Sequence, residues 1–367
     1  MARTKNYLKI LTWPWGLFVR YWRGHWWHKV VATGVIALAL MGCGMYGIAL
    51  WYQHGEKSKP LELGVSFIPD YATYLGLNPQ ATMDALINDL HVRNFRLTSY
   101  WNDVEPTPGQ YDFSQLDWQF AKAEAAHAKI TLTVGLRQPR WPECHPPSWV
   151  DTTKPLESWQ PQLEQYMTAV INRYKHSPAL QNYQLENEYF LKGFGLCTDM
   201  TRSRLVSEYS LVKQLDPSHP VIVTRSNNAL GTPVGKPTPD EFSISIYQRV
   251  WDAALTHRYI QYPFPSWFYA FVAGVQKITK GKDMVIGELQ AEPWPSQKQN
   301  LLNSSLTEQN KSFNAKRLEA TIDFGESTGM RTINLWGAEY WYYRMVTLHD
   351  PSVWNAAKTI FAGRADQ

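Results

Sequence analysis

Eight short β-rich apolar runs recur between residues 61 and 338, and most are separated by a longer segment of helical period. They are LELGVSF (61–67), FRLTSYW (95–101), ITLTVGL (130–136), NYQLENE (182–188), VIVTRSN (221–227), FSISIYQ (242–248), MVIGELQ (284–290) and TINLWGA (332–338). Helical patterns fill 79–92, 116–128, 157–175, 201–215, 266–279, 310–327 and 353–362. In the first of these, Met83, Leu86, Ile87 and Leu90 make one apolar face. This alternation predicts an α/β fold with a parallel sheet, and eight strands predict closure into a (β/α)8 TIM barrel. A doubly wound open sheet is the competing arrangement, but no GxGxxG turn or P-loop accompanies the strands. The alternation breaks once. GTPVGKPTPDE (231–241) carries three prolines and no helical period, so the helix between the fifth and sixth strands is expected to be missing or vestigial.

The N-terminus follows different rules. From Val30 to Tyr52 the chain carries no charge, a run long enough to cross a bilayer as a helix. Arg3, Lys5, Lys9, Arg20, Arg23 and Lys29 precede it with no acid among them, whereas only Glu56, Lys57 and Lys59 follow closely. The positive-inside rule then predicts a cytoplasmic segment 1–29, a transmembrane anchor 30–52, a linker 53–60 and an extracytoplasmic domain 61–367. Trp13, Trp15, Trp22, Trp26, Trp27 and Trp51 fit interfacial anchors. A cleaved signal peptide is the alternative. The apolar run is longer than a usual signal core and no A-x-A site follows it, so an uncleaved anchor in the cell membrane is the reading adopted. With a net charge of only +4 and no basic block, nothing marks a nucleic-acid surface. No feature fixes an oligomeric state.

There are three cysteines. Cys43 falls in the apolar span. Cys144 and Cys197 fall in the outer domain, where a disulfide is permitted, and have neither zinc spacing nor a CxxC pattern. In a barrel the loops after the third and fourth strands are neighbours, which brings this pair within bridging range.

Barrel active sites lie at the C-terminal ends of the strands. Read there, the second run carries Arg96, Tyr100 and Trp101, and the third leads into Arg137, Gln138, Arg140, Trp141, His145 and Trp149. The fourth ends in Asn187 and Glu188, the sixth in Tyr247, the seventh in Glu288 and the eighth in Trp336. Glu188 and Glu288 lie three strands apart in a ring of eight and so face each other across the mouth. Two carboxylates in that relation suit glycoside hydrolysis, which needs one neutral and one ionised acid. Arg96 is expected to favour the ionised form of Glu288, and that charge in turn to raise the pKa of Glu188. Asn187 is placed to bind a sugar hydroxyl. Metal binding reads poorly, because no histidine pair has ligand spacing.

Residues 61–341 resemble the clan of retaining TIM-barrel glycoside hydrolases that includes cellulases, mannanases, xylanases and β-galactosidases. FRLTSYWNDVEPTPGQYDFSQLDW is similar to the clan's arginine-bearing second strand with W-x(4)-P-x-x-G-x-Y-D-F-S-x-L-D. The strand-four Asn-Glu pair resembles its acid/base signature. Glu288, Tyr247 and Trp336 fall where it carries the nucleophile, a strand-six tyrosine or histidine, and a sugar-platform tryptophan. The resemblance implies a double displacement with Glu288 as nucleophile and Glu188 as acid then base, and no cofactor.

Departures from the clan's pattern are Glu186 before Asn187, the third-strand loop GLRQPRWPECH, and the second local carboxylate Glu292. Glu186 is expected to pair with an arginine, and Glu292 to serve in a loop or subsite. Trp141, Trp294, Trp336 and Trp341 are candidate sugar platforms and His145 a subsite residue, with an oligo- or polysaccharide as the expected partner. A transglycosylase, or a noncatalytic carbohydrate-binding surface protein on the same scaffold, are the competing functions.

Overall fold

The computed structural model of the chain describes residues 22, 24–191, 193–227, 235–296 and 299–363. Arg3, Lys5, Lys9, Arg20, Arg23, Trp13, Trp15 and residues 231–234 lie outside them. Eight parallel strands close into a barrel: β1 Glu62–Phe67, β2 Asn94–Leu97, β3 Lys129–Val134, β4 Leu180–Leu185, β5 Val221–Asn227, β6 Glu241–Ile246, β7 Met284–Gln290 and β8 Thr332–Trp336. Each pairs with its sequence neighbours, and β8 closes on β1 with Leu335 beside Val65. The predicted strands all form. Five end earlier than their apolar character suggested, β3, β6 and β8 by two residues and β2 and β4 by more. β2 stops at Leu97, after which Trp101 opens a one-turn helix to Val104. β4 stops at Leu185, because Glu186 and Glu188 take positive φ of 56° and 41°, values that leave extended geometry.

The long N-terminal helix α1 spans Trp26–Glu56 and is long and apolar enough to cross a membrane. The helices packed round the barrel are α2 Pro79–Asn88, α3 Ser114–Ala125, α4 Gln160–Tyr174, α5 Arg202–Leu215, α6 Ser266–Lys280, α7 Ala315–Glu326 and α8 Ser352–Ala362. Local chemistry sets their ends. The Asn78 side chain caps α2 ahead of Pro79, Asn314 caps α7, and Gly281 in left-handed geometry closes α6. Among the described residues no helix joins β5 to β6, as the prolines implied. The mouth loops hold short extra elements instead. After β6 comes a hairpin, Arg249–Asp252 with Arg258–Gln261, and after β8 a helix, Ala338–Val346.

Apolar strand residues such as Val65, Phe67, Leu97, Leu132, Val134, Ile244, Ile286 and Leu335 fill the core with the inward faces of the helices. At the mouth end of the strands the buried set changes character. Arg96, Gln184, Glu186, Asn187, Glu188 and Glu288 are all buried there. Burying so many ionisable groups is costly unless they are paired, so the mouth is where pairing must be accounted for.

Candidate active site

Arg96, at the mouth end of β2, organises the centre. Its Nη1 donates to Glu288 Oε1 at 2.9 Å and Nη2 donates to Asn187 Oδ1 at 2.9 Å. Its Nε donates to Gln184 Oε1 at 2.7 Å, so the guanidinium is held in one orientation by β4, the loop after it, and β7. The other oxygen of Glu288 accepts from the Tyr247 hydroxyl at 2.7 Å. Glu288 thus receives one charged and one neutral donor, so both of its oxygens are held by protein. Burial, and then the Glu288 charge, holds the Tyr247 hydroxyl well above its ordinary pKa, so this donor keeps its proton.

Glu188 is placed differently. It is buried, and its Oε1 has no hydrogen-bond partner among the described residues. Burial raises its pKa to about 8, with the negative charges of Glu288 and Glu143 adding to the shift. The site therefore contains one carboxyl group held by two donors and one whose pKa is raised by burial. Both line a cleft of about 300 Å³ with Tyr247, Trp141, Trp294 and Trp336.

A third carboxylate stands beside them. Glu143, in the loop after β3, accepts from Asn187 Nδ2 at 3.1 Å and lies 3.6 Å from Arg137 Nε. Burial raises its pKa to about 7; Arg137 opposes that shift and Glu288 adds to it. Sequence reasoning missed Glu143, along with Gln184 as a clamp on Arg96. Glu143 follows an irregular turn in which Arg140 and Glu143 both have positive φ, so no strand or helix pattern pointed to it. Its one available signal was adjacency to Cys144. The structure bonds Cys144 to Cys197, fastening this loop to the one after β4.

The two carboxylates of the Glu-Asn-Glu run separate by role. Glu186 turns away from the mouth and accepts from the backbone N–H groups of Leu136 and Arg137 at 2.6 and 2.9 Å. It also pairs with buried Arg204 of α5 at 3.1 Å, which in turn meets Glu208 at 2.7 Å. Gly135 is required at this point. Its φ is +109°, and a Cβ there would lie 2.3 Å from Glu186 Oε1. Asn187 is held by protein at both ends of its amide, with Arg96 and Gln184 on its oxygen and Glu143 on its nitrogen.

Around this centre the aromatic residues divide. Trp141 is 59% exposed on the cleft edge, with Phe194 against it edge-to-face. Trp336 is only 6% exposed, and the Arg140 guanidinium sits 4.5 Å from its ring centroid. Trp341 is fully buried with its Nε1 donating to the Ala291 carbonyl, so it belongs to the core and offers no platform. Arg140 is stacked between Tyr71 and Trp336 and paired with Glu292 at 3.2 Å, which gives Glu292 a structural partner. His145 stacks on Tyr100 in an adjoining cleft lined by Tyr71 and Tyr74, and burial lowers its pKa to about 4, so it is neutral near pH 7. Among the described residues no three His, Cys, Asp or Glu side chains form a metal-ligating group.

A closed parallel barrel with an arginine-clamped carboxylate and a second buried acid across its mouth is the class that fold and site define. Among solved structures, the chain is similar to the beta-galactosidase from Rahnella sp. R3, at 11% identity and a TM-score of 0.53, over 84% of this chain and 57% of that one. It is similar to xylanase 10B from Thermotoga petrophila RKU-1, solved with xylobiose, at 14% identity and a TM-score of 0.52, over 83% and 94% of the two chains. It is also similar to an exo-beta-1,4-mannosidase from Opitutaceae bacterium strain TAV5, at 14% identity and a TM-score of 0.51, over 75% and 51%. The chain thus spans little more than half the length of the galactosidase and the mannosidase. The likeness shows a shared fold, the closed parallel β/α barrel. No protein-family model and no curated protein matches the sequence.

Proposed function

We propose that the protein is a retaining β-glycoside hydrolase acting on an oligo- or polysaccharide. The observation that carries this reading is the unequal treatment of two buried carboxylates at one cleft. Glu288 is clamped by Arg96 and Tyr247, while Glu188 has its pKa raised to about 8. Glu188 delivers its proton to the departing glycosidic oxygen as Glu288 attacks the anomeric carbon. Water then enters, gives a proton back to Glu188, and breaks the glycosyl ester to restore Glu288. Replacing that water with a second sugar makes the same site a transglycosylase. Arg96 and Asn187 orient the carboxylates, Tyr247 steadies Glu288, and Trp141 supplies an exposed sugar platform. Trp336 and His145 serve as side walls of the binding clefts.

The helix that carries the apolar run 30–52 anchors the chain in the cell membrane, its last turns from Tyr46 packing on the barrel, with its N-terminal side cytoplasmic and the domain 61–367 outside. Retention of the anchor is supported by its packing, since Ala49, Tyr52 and Glu56 are buried against the barrel. Excising it would uncover apolar surface on α6. The test is trapping with a panel of 2-fluoro glycosides followed by peptide mapping. The adduct is expected on Glu288, and an adduct elsewhere or inert behaviour towards every sugar overturns the assignment.

A further inference from the structure

The direction in which α1 leaves the barrel has a consequence for the substrate. The last third of α1 lies along α6, and three contacts fix their relative sense. Tyr46 meets Trp267 edge-to-face at 5.8 Å, Ile48 and Tyr52 close on Gly274, and Lys277 Nζ donates to Glu56 Oε1 at 2.5 Å. Residue numbers rise together along both helices, so the two are parallel. A barrel helix runs opposite to the strands, which places the start of α6 at the mouth and its end at the floor. The floor end agrees. Gln53 Nε2 donates to the Ser327 carbonyl at 2.6 Å, and Arg331 Nε donates to the Lys59 carbonyl, both immediately ahead of β8. Followed backwards from Tyr46, α1 therefore extends beyond the mouth of the barrel.

The remaining stretch Trp26–Met45 is twenty residues, or about 30 Å of helix, the thickness of a hydrocarbon core. Every residue from Thr33 to Met41 is exposed. The bilayer that covers them then begins level with the start of α6 and lies on the mouth side of the barrel. The rim is built for that contact. Leu255 at the hairpin turn is 86% exposed, and Leu196, Trp141, Leu302 and Phe194 are exposed on the loops after β4, β3, β7 and β4. Among the described residues, the floor end exposes Ile278 on α6 and Leu50 and Trp51 on α1, fewer than the rim. Exposed apolar side chains gathered on one face mark an interaction surface.

We infer that the catalytic mouth faces the membrane that anchors the chain, and that the substrate is a saccharide carried on a lipid of that membrane. The inference rests on the glycosidase reading above for its chemistry, which is unchanged. The glycosidic bond of the lipid-borne sugar breaks with the Glu188 proton going to the departing oxygen. A bulky polysaccharide approaching from solvent would meet the bilayer before the cleft. Trp141 and Phe194, on both the rim and the cleft wall, would line the passage from headgroup level to Glu188 and Glu288.

The test uses the full chain in phosphatidylcholine vesicles. In a Cys43→Ser background, a fluorophore on Leu255→Cys is expected to be quenched by nitroxide-bearing lipid and shielded from aqueous iodide, with Ile278→Cys showing the reverse. Iodide access at 255 with lipid access at 278, or iodide access at both, overturns the orientation. In parallel, the sugar of the best aryl glycoside is presented as an octadecyl β-glycoside in the vesicles and as a methyl glycoside in solution. Lipid-borne sugar is expected to be cleaved at least about tenfold more efficiently. A shielded 255 position without that preference overturns the substrate class. Inert aryl glycosides would overturn the glycosidase reading instead, while the quenching pattern still reports the orientation.

Discussion

The Arg96 guanidinium donates to Glu288 Oε1 across 2.9 Å with both side chains almost wholly buried. In so dry a position each charge depends on the other, since removing one partner of a buried pair leaves an uncompensated charge. The pair holds Glu288 in one place at the mouth, and the roles proposed for its neighbours are built on that position.

Glu288→Gln keeps the shape of the side chain and removes the nucleophile. Turnover of an activated aryl β-glycoside is expected to fall on the order of 10³-fold or more, with the circular dichroism spectrum unchanged. Near wild-type rates would remove Glu288 from the mechanism. Glu288→Ala with azide should recover activity and yield a glycosyl azide of inverted anomeric configuration.

Tyr247→Phe removes the hydroxyl that donates to Glu288 Oε2. The expected cost is about 1 kcal/mol of stability and roughly 10-fold or more in kcat, with KM little changed. A variant that shifts only KM would make Tyr247 a substrate contact and not a steadying group for Glu288.

Glu188 must be protonated to act as the acid, and its pKa is raised to about 8. The kcat/KM of the wild type is therefore expected to hold through neutral pH and fall as pH rises through about 8. Glu188→Ala should erase that alkaline limb. It should also slow substrates with poor leaving groups far more than activated aryl glycosides. An alkaline limb that survives the substitution assigns it to another group, Glu143 being the first to examine.

The barrel was legible because its strands and helices obey simple periods, and Arg96, Glu188 and Glu288 were legible because they interrupt apolar strands at the same end. Tyr247 and Trp336 could be placed by strand position, but their surroundings could not. The near-complete burial of Trp336 under Arg140 depends on a loop whose backbone at Arg140 has φ of +84°. Glu143 was hidden for the same reason, lying in a turn with no periodicity. Glu186 was expected to find an arginine, and Arg204 fills that place from a helix eighteen residues on. Trp341 looked like a platform because it follows β8, but the helix it occupies turns it inward to Ala291. The orientation of α1 was beyond the sequence altogether, since it is set by the approach that Gly274 allows.

The raised pKa of Glu188 also predicts a stability effect with a definite sign. Its ordinary value is 4.5 and its folded value about 8, so between these limits the folded state binds more protons than the unfolded one. Stability from this group is present at low pH and is lost as pH rises through that window, because deprotonation charges a buried carboxyl. Glu188→Gln replaces it with a neutral amide of the same shape. The variant is expected to match the wild type near pH 5 and to become the more stable of the two by roughly 1–3 kcal/mol near pH 8.5, while inactive on poor leaving groups. Thermal melts of both proteins across this range make the check. A gap that stays constant with pH would show that Glu188 is not buried as an acid, and would remove the physical basis for its role as proton donor.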